Sequence, residues 1–177
     1  SSIPANQVNL TTYETTVALR TNTPTRSDGY YFAGWCSANT TTTDCSGSIY
    51  KPGDNFGINQ TSNDNTITLY AMWTDCQSGR ICYDDNGANS VTKMGDQNIG
   101  TSATEATLWA SNFQRSGYGF LGWSTKPNPV IGTDTIYGPM ETISNINVSQ
   151  GGIKLYAVWK AAETTTVGET TTPVYLQ

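Results

Sequence analysis

The sequence predicts a mainly β protein that consists of two small modules in tandem. Three observations support this prediction: two aromatic motifs each occur twice, apolar residues alternate with period two within them, and turn-forming residues are abundant. Charged residues make up 13% of the 177 residues and aromatic residues 11%, a combination that favours a folded chain over a disordered one.

Four anchors recur in one order, with Gly29, Trp35, Tyr50 and Trp73 matched by Gly117, Trp123, Tyr137 and Trp159. The offset between the copies is nearly constant, at 88 residues for the first motif (117 − 29) and 86 residues for the last (159 − 73). Such regularity indicates a duplicated folding unit. We therefore expect modules at residues 1–75 and 76–160, followed by a Thr-rich tail at 161–177. The matched segments are Gly29–Trp35 with Gly117–Trp123, Tyr50 with Tyr137, and Ile67–Trp73 with Ile153–Trp159.

Alternate residues of each motif are predicted to share one face of a strand. A glycine stands directly before Trp35 and Trp123, which suggests a β-bulge or a close approach to an aromatic ring. A sugar-stacking platform is an alternative interpretation of these aromatic residues, but their repetition favours core packing. The predicted shared faces are Tyr30, Phe32 and Gly34; Tyr118, Phe120 and Gly122; Ile67, Leu69, Ala71 and Trp73; and Ile153, Leu155, Ala157 and Trp159.

The four cysteines occur as two close pairs, and three pairings are formally possible. Proximity favours Cys36 with Cys45 and Cys76 with Cys82, and four free thiols are the alternative. A zinc site is disfavoured because neither spacing is CxxC and the chain has no histidine. Disulfides predict an oxidising, extracytoplasmic compartment.

These motifs resemble the Listeria–Bacteroides repeat, a family of bacterial surface modules related to the internalin B-repeat. In each copy an arginine, Arg26 or Arg115, precedes a Gly-Tyr-x-Phe-x-Gly-Trp strand, and a Leu-Tyr-Ala-x-Trp strand closes the module. The segment Ile81–Gly87 looks like the opening strand of such a module. The resemblance implies β-grasp-like α+β modules in secreted or wall-attached proteins, and it brings no catalytic residues.

The spacing of the motifs predicts that the first module lacks a counterpart of that opening strand. Arg80 lies 35 residues before Arg115 (115 − 80), whereas the equivalent position for Arg26 would precede Ser1. A sheet with one strand absent exposes an unpaired edge that another strand can join.

The tail offers a candidate for the missing strand. Its last residues are β-prone, and we expect Val174, Tyr175 and Leu176 of one copy to bind the open module of the next. Repeated head to tail, such a contact does not close and builds a filament. The alternative is that the chain is a fragment of a longer protein whose preceding residues supply the strand.

The expected function is non-enzymatic. The absence of histidine removes Ser–His and Cys–His nucleophiles and most catalytic zinc sites, and we predict no catalytic, cofactor-binding or metal residues. The adjacent carboxylates Asp84 and Asp85 belong to an Asp-Asp-Asn-Gly turn signal. A net charge of −5 without a basic cluster disfavours nucleic-acid binding, and no apolar stretch approaches the roughly 20 residues that span a bilayer.

We expect an extracellular surface protein that acts as a tandem spacer or as a head-to-tail filament subunit. Its expected partners are other copies of itself or other surface proteins. The alternative is an adhesin that binds a glycan or a partner protein through the variable loops at residues 36–48 and 124–136.

Overall fold

The computed structural model describes residues 16–57, 67–89 and 93–162, and these residues form strands and loops without a helix. The mainly β prediction is confirmed. The β-grasp-like α+β detail is not confirmed, because the described residues contain no helix to pack on the sheets. The strands are β1 (Thr16–Ala18), β2 (Tyr31–Cys36), β3 (Ile49–Tyr50), β4 (Asn55–Gly57), β5 (Tyr70–Thr74), β6 (Arg80–Asp84), β7 (Gln97–Asn98), β8 (Glu105–Thr107), β9 (Tyr118–Ser124), β10 (Thr142–Ser144) and β11 (Ile153–Ala161).

The strands of the two modules correspond one to one where both are described. In the first module, β2 lies between β3 and β5, and β1 pairs with β4. In the second, β9 pairs with β11 as β2 does with β5, and β8 pairs with β10 as β1 does with β4. The single bridge from Trp123 to Tyr137 takes the place of β3. The second module adds β6 and β7, giving a sheet of order β7-β6-β11-β9.

A β-bulge interrupts the first motif of both modules. Burial still alternates along β2, but Gly122, Trp123 and Ser124 are buried in succession, so the strict alternation predicted for β9 is wrong. Phe120 pairs with Trp159 and Gly122 with Val158, which leaves Leu121 as the extra residue; Ala33 is the extra residue in the first module. Because the bulge rotates the following residues, Trp123 is fully buried and lies 4.9 Å from the Phe120 ring in an edge-on arrangement.

The glycine of each bulge lies against a tyrosine carbonyl rather than against an aromatic ring. A Cβ built on Gly122 would overlap the carbonyl oxygen of Tyr137, and one built on Gly34 would lie 3.0 Å from the carbonyl oxygen of Tyr50. The glycine therefore lets the next chain segment pair closely with the bulged strand.

Within the described residues, the two modules differ in the size of their buried apolar clusters. The core of the second module joins β6, β8, β9, β10 and β11 through nine buried residues, whereas the buried cluster of the first module comprises Cys36, Cys45 and Met72 in the described part of the chain. The difference follows from the strands that each sheet contains, since Ile81 and Tyr83 of β6 belong to the larger cluster.

No helix that is long and apolar enough to cross a membrane is found in the described part of the chain.

Candidate functional site: the open edge of the first module

The site is the edge of β5 that faces away from β2. In the second module, β11 has nine residues and pairs on both sides: Ile153–Tyr156 with β6 in parallel, and Tyr156–Ala161 with β9. β5 has five residues and pairs with β2 alone among the described strands. Residues 67–69, which correspond to the part of β11 that β6 holds, lie outside any strand. The edge is therefore unpaired within the described residues.

Side chains that the opening strand covers in the second module are partly exposed in the first. Leu155 and Ala157 are fully buried, but their counterparts Leu69 and Ala71 are half-buried. Trp123 is fully buried as well, and the ring of Tyr83 on β6 lies 4.6 Å from it. The side chains that are more exposed in the first module correspond to those on the face that β6 covers in the second module.

The exposed side chains line a groove of about 610 Å³. Its apolar floor is made by residues of the two repeat motifs, and its wall comes from the segment before β2. The residues that line it include Pro24, Arg26, Trp35, Leu69, Ala71 and Trp73. A groove of this composition can accept apolar side chains that alternate along an extended strand.

The charges at the rim of the groove neutralise each other. The guanidinium of Arg26 lies 4.7 Å from the ring centroid of Tyr30 and 5.1 Å from that of Trp73. It also forms a two-bond ion pair with Asp28, in which Nε donates to Oδ1 at 3.0 Å. The hydrogen bond from Arg26 lowers the pKa of Asp28 below its usual value. The rim thus offers no net charge to a strand that enters the groove.

Two disulfides brace the ends of the strands that border the site. Cys36 is joined to Cys45 and Cys76 to Cys82, the two pairings that proximity favours, each with a Cα–Cα distance of 5.8 Å. The first closes the Thr-rich loop after β2. The second ties the segment between the modules to β6, so both bonds restrain loops that sheet hydrogen bonds do not hold.

The junction between the modules is short and packed. Five residues, 75–79, separate β5 from β6, and the N–H of Gly152 donates to the carbonyl of Cys76 at 2.9 Å. A Cβ on Gly151 would lie 2.7 Å from the carbonyl oxygen of Phe32 in the first module. The second module is therefore in direct backbone contact with the sheet that carries the open edge.

The other residues that the sequence singled out lie away from the open edge or outside the described residues. Val174, Tyr175 and Leu176 lie outside the described residues. Asp85 and Asn86 form the predicted turn, in which Asn86 has a φ of 46° and Gly87 a φ of 87°. Among the described residues, no group of three or more His, Cys, Asp or Glu side chains is arranged to hold a metal ion.

Sequence reasoning missed a second surface feature, a cleft beside Trp109 and Met140 in the second module. Neither residue belongs to a repeat motif. The available signal was that both differ from their counterparts in the first module, Arg20 and Gly53.

A comparison with known protein families also divides the chain into two successive copies of one module. The sequence profile of the Listeria-Bacteroides repeat domain matches residues 2–72 and, in a second copy, residues 80–158. Searches of curated proteins and of solved structures gave no match. The second matched segment begins at β6, and the first module has no described strand in that position. Because the two matches cover most of the chain, the protein belongs to the Listeria-Bacteroides repeat domain family.

Proposed function

We propose that this chain is a non-enzymatic structural subunit of the bacterial cell surface that assembles head to tail by strand addition. A strand donated by one copy completes the first module of the next copy. The observation that carries this proposal is an edge of β5 that no described strand pairs with, beside an apolar groove, at the place where β6 completes the second module. The surface location is supported by the family, which is common in bacterial surface proteins.

The second module is the template for the donated strand. Along β6, Ile81 and Tyr83 are buried, and the residues on either side of them are half-buried. A donor in the same register therefore needs two apolar side chains two positions apart. The tail meets this requirement with Val174 and Leu176, which leaves Tyr175 on the outer face.

The template also sets the expected strength of the contact. β6 and β11 share four residue pairs, and backbone bonds at about 1 kcal/mol each with two buried side chains at about 2 kcal/mol each stabilise such a strand by about 8 kcal/mol. Ordering a five-residue peptide at about 1.5 kcal/mol per residue offsets nearly all of this. The net stabilisation of about 0.5 kcal/mol falls far short of the roughly 4 kcal/mol that a dissociation constant of 1 mM requires. An isolated tail peptide should therefore bind only weakly, and stable assembly depends on additional contacts between whole copies.

The primary test compares the full chain with a variant that lacks residues 170–177, by analytical ultracentrifugation over a concentration series and by negative-stain microscopy. We expect linear assemblies of the full chain at high concentration and monomers of the truncated variant. Assemblies that survive the truncation would exclude the tail as the connector.

Point variants separate strand addition from other effects of the tail. Val174→Asp and Leu176→Asp should abolish assembly, whereas Tyr175→Asp should retain it, because Tyr175 would face outward in a strand docked in this register. On the acceptor side, Ile67→Lys should block assembly at the open edge. Ile49→Lys is its matched control, since Ile49 has a similar exposure (51% against 48%) and lies on β3 at the opposite edge of the sheet.

A synthetic peptide with the sequence of residues 79–86, with Cys82→Ser, tests the acceptor groove independently of the tail. Chemical-shift changes that map to Leu69 and Ala71 would support a strand-accepting edge. If this peptide binds and the tail peptide does not, the acceptor is real but its natural donor is another segment, such as the chain that precedes a module in a longer protein. If neither peptide binds and the Ile67→Lys variant still assembles, strand addition at this edge is the wrong mechanism.

The adhesin alternative is favoured by one observation. Val130 and Ile131 are exposed at the tip of the loop at residues 124–136. The tip is held by Asp134, which accepts hydrogen bonds from the Val130 N–H at 2.7 Å and from the ammonium of Lys126 at 2.6 Å. A rigid apolar tip suits contact with a partner protein. Loss of cell adhesion on changing both tip residues to serine, with assembly intact, would favour this function.

A further inference from the structure

The repeat provides an internal reference, because each position of the second module can be compared with its counterpart in the first. Two departures of the second module from the first meet in one cleft. Trp109 follows β8 at the position that Arg20 holds after β1, and Met140 stands in a turn at the position of Gly53. The cleft is independent of the open edge described above, because it is built entirely from the second module.

Met140 occupies a position that suits glycine. The N–H of Glu141 donates to the carbonyl of Gly138 in its turn, as the N–H of Asp54 donates to the carbonyl of Lys51 in the first module. The φ angle is 62° at Met140 and 86° at Gly53, a region that disfavours residues with a Cβ. The Met140 side chain is 63% exposed, so it does not compensate for this strain by core packing. An observed outlier of this kind points to a functional constraint.

Trp109 presents one fixed, solvent-facing ring. Its other face stacks on Tyr83, with ring centroids 5.6 Å apart and an interplanar angle of 17°. Its backbone is held as well: the N–H donates to the Tyr83 hydroxyl at 2.8 Å, and the carbonyl accepts the indole N–H of Trp123 at 2.9 Å. The ring is nevertheless 40% exposed. A rigid half-exposed indole is a low-entropy binding surface.

The groups around Trp109 define the chemistry of a ligand. The cleft has a volume of about 380 Å³ and contains the thioethers of Met94 and Met140 beside the indole, with Lys93 and Asn112 at its polar rim. The nearby carboxylate of Glu141 is already engaged by the N–H of Gly138 at 2.6 Å. An indole N–H, an ammonium and an amide favour a ligand that combines an apolar face with oxygen acceptors.

We propose that this cleft is a subsite for a pyranose ring of a glycan. The C–H face of the ring stacks on Trp109, its hydroxyl oxygens accept hydrogen bonds from Lys93 and Asn112, and Met140 contacts an apolar substituent such as an acetamide methyl group. The small volume favours one or two sugar rings over a peptide segment, which would need a longer groove.

The test is a titration of the full chain followed by ¹⁵N NMR, with tri-N-acetylchitotriose and cellotriose as the probes. We expect a saturable shift of the Trp109 indole N–H with at least one of the two sugars. Trp109→Arg, the residue of the first module, should abolish the shifts of the surrounding backbone amides, and Ile49→Ser, at an exposed position on β3 of the first module, should leave them unchanged.

Met140→Gly distinguishes a ligand contact from a folding role. It restores the residue of the first module, so we expect a folded protein with unchanged or higher thermal stability and roughly tenfold weaker sugar binding. The proposal is overturned if neither sugar produces a saturable shift at Trp109. It is equally overturned if the shifts persist in Trp109→Arg, or if Met140→Gly binds as tightly as the parent chain.

Discussion

The glycine before each repeated tryptophan provides a stringent test of the fold, because the two modules offer the same substitution in two environments. At Gly122, a methyl group would overlap the carbonyl oxygen of Tyr137 and lie 2.8 Å from the Cγ2 of Ile136. At Gly34, it would lie 3.0 Å from the carbonyl oxygen of Tyr50 and 3.2 Å from the flexible end of Met72. We therefore predict that Gly122→Ala destabilises its module more than Gly34→Ala does.

The magnitude follows from the bonds that must break. Trp123 and Tyr137 exchange two backbone hydrogen bonds of 2.8 Å, and displacing Tyr137 by enough to admit a methyl group breaks both. Two bonds at about 1 kcal/mol each and overpacking strain of about 2 kcal/mol give a loss of about 4 kcal/mol. At Gly34 the flexible Met72 can move, so the cost is mainly that of a φ of 134° for alanine, about 2 kcal/mol.

Hydrogen exchange resolves the two modules within one molecule, which a single unfolding curve does not. In Gly122→Ala, the amide of Trp123 should lose protection by about a thousandfold, since each 1.4 kcal/mol is a factor of ten. Protection of the β2 amides should stay unchanged. Equal losses in the two glycine variants, or a loss of less than tenfold at Trp123, would refute the steric account of the bulge.

Three further predictions concern the disulfide, a buried lysine and the strained turn. Replacing both Cys76 and Cys82 by serine should lower the free energy of unfolding by about 2 kcal/mol in chemical denaturation, because the closed loop is short; an unchanged midpoint would show that the bond does not restrain the junction. Burial lowers the pKa of Lys51 below its usual value of 10.5. At a pH between the lowered value and 10.5, the unfolded chain therefore binds more protons at Lys51 than the folded chain does. The free energy of unfolding rises with pH in this window. The stability of the parent chain relative to Lys51→Met should therefore increase from neutral pH towards 10.5 in urea titrations, and a constant or falling difference would contradict the burial argument. Met140→Gly should raise the free energy of unfolding by about 0.5 kcal/mol, because relief of the positive φ slightly exceeds the entropy that glycine adds to the unfolded chain; clear destabilisation would show that the methionine side chain supports the fold.

Much of the architecture was predictable because the sequence contains its own comparison. The repeated motifs locate β2, β5, β9 and β11. The spacing before Arg26 and Arg115 predicts that the first module lacks the strand that β6 supplies to the second, and this stays a prediction, since it is only among the described residues that no strand takes that position. The cysteine pairing also follows from proximity, since each pair lies close enough in sequence to close a short loop. These features depend on residues that are near one another in the chain or duplicated in it.

The features that could not be predicted depend on register and on contacts between distant residues. Alternation is a local rule, and it fails at Leu121 because the partner strand sets the register and leaves that residue unpaired. The burial of Trp123 follows from this bulge and not from its position in the motif. The meeting of Trp109 with Met140 requires the pairing of β8 with β10, which no local pattern specifies.

The strand order of the second module determines how it would bear tension. β6 begins the module, β11 ends it, and the two run side by side in parallel. A pull on the two ends draws these strands past each other along their length, so their backbone bonds must break together rather than one at a time. Among the described residues, the first module has no such mechanical clamp, and a strand donated in parallel to β5 would create one. The joint between two subunits would then resist stretching in the same way as the module itself.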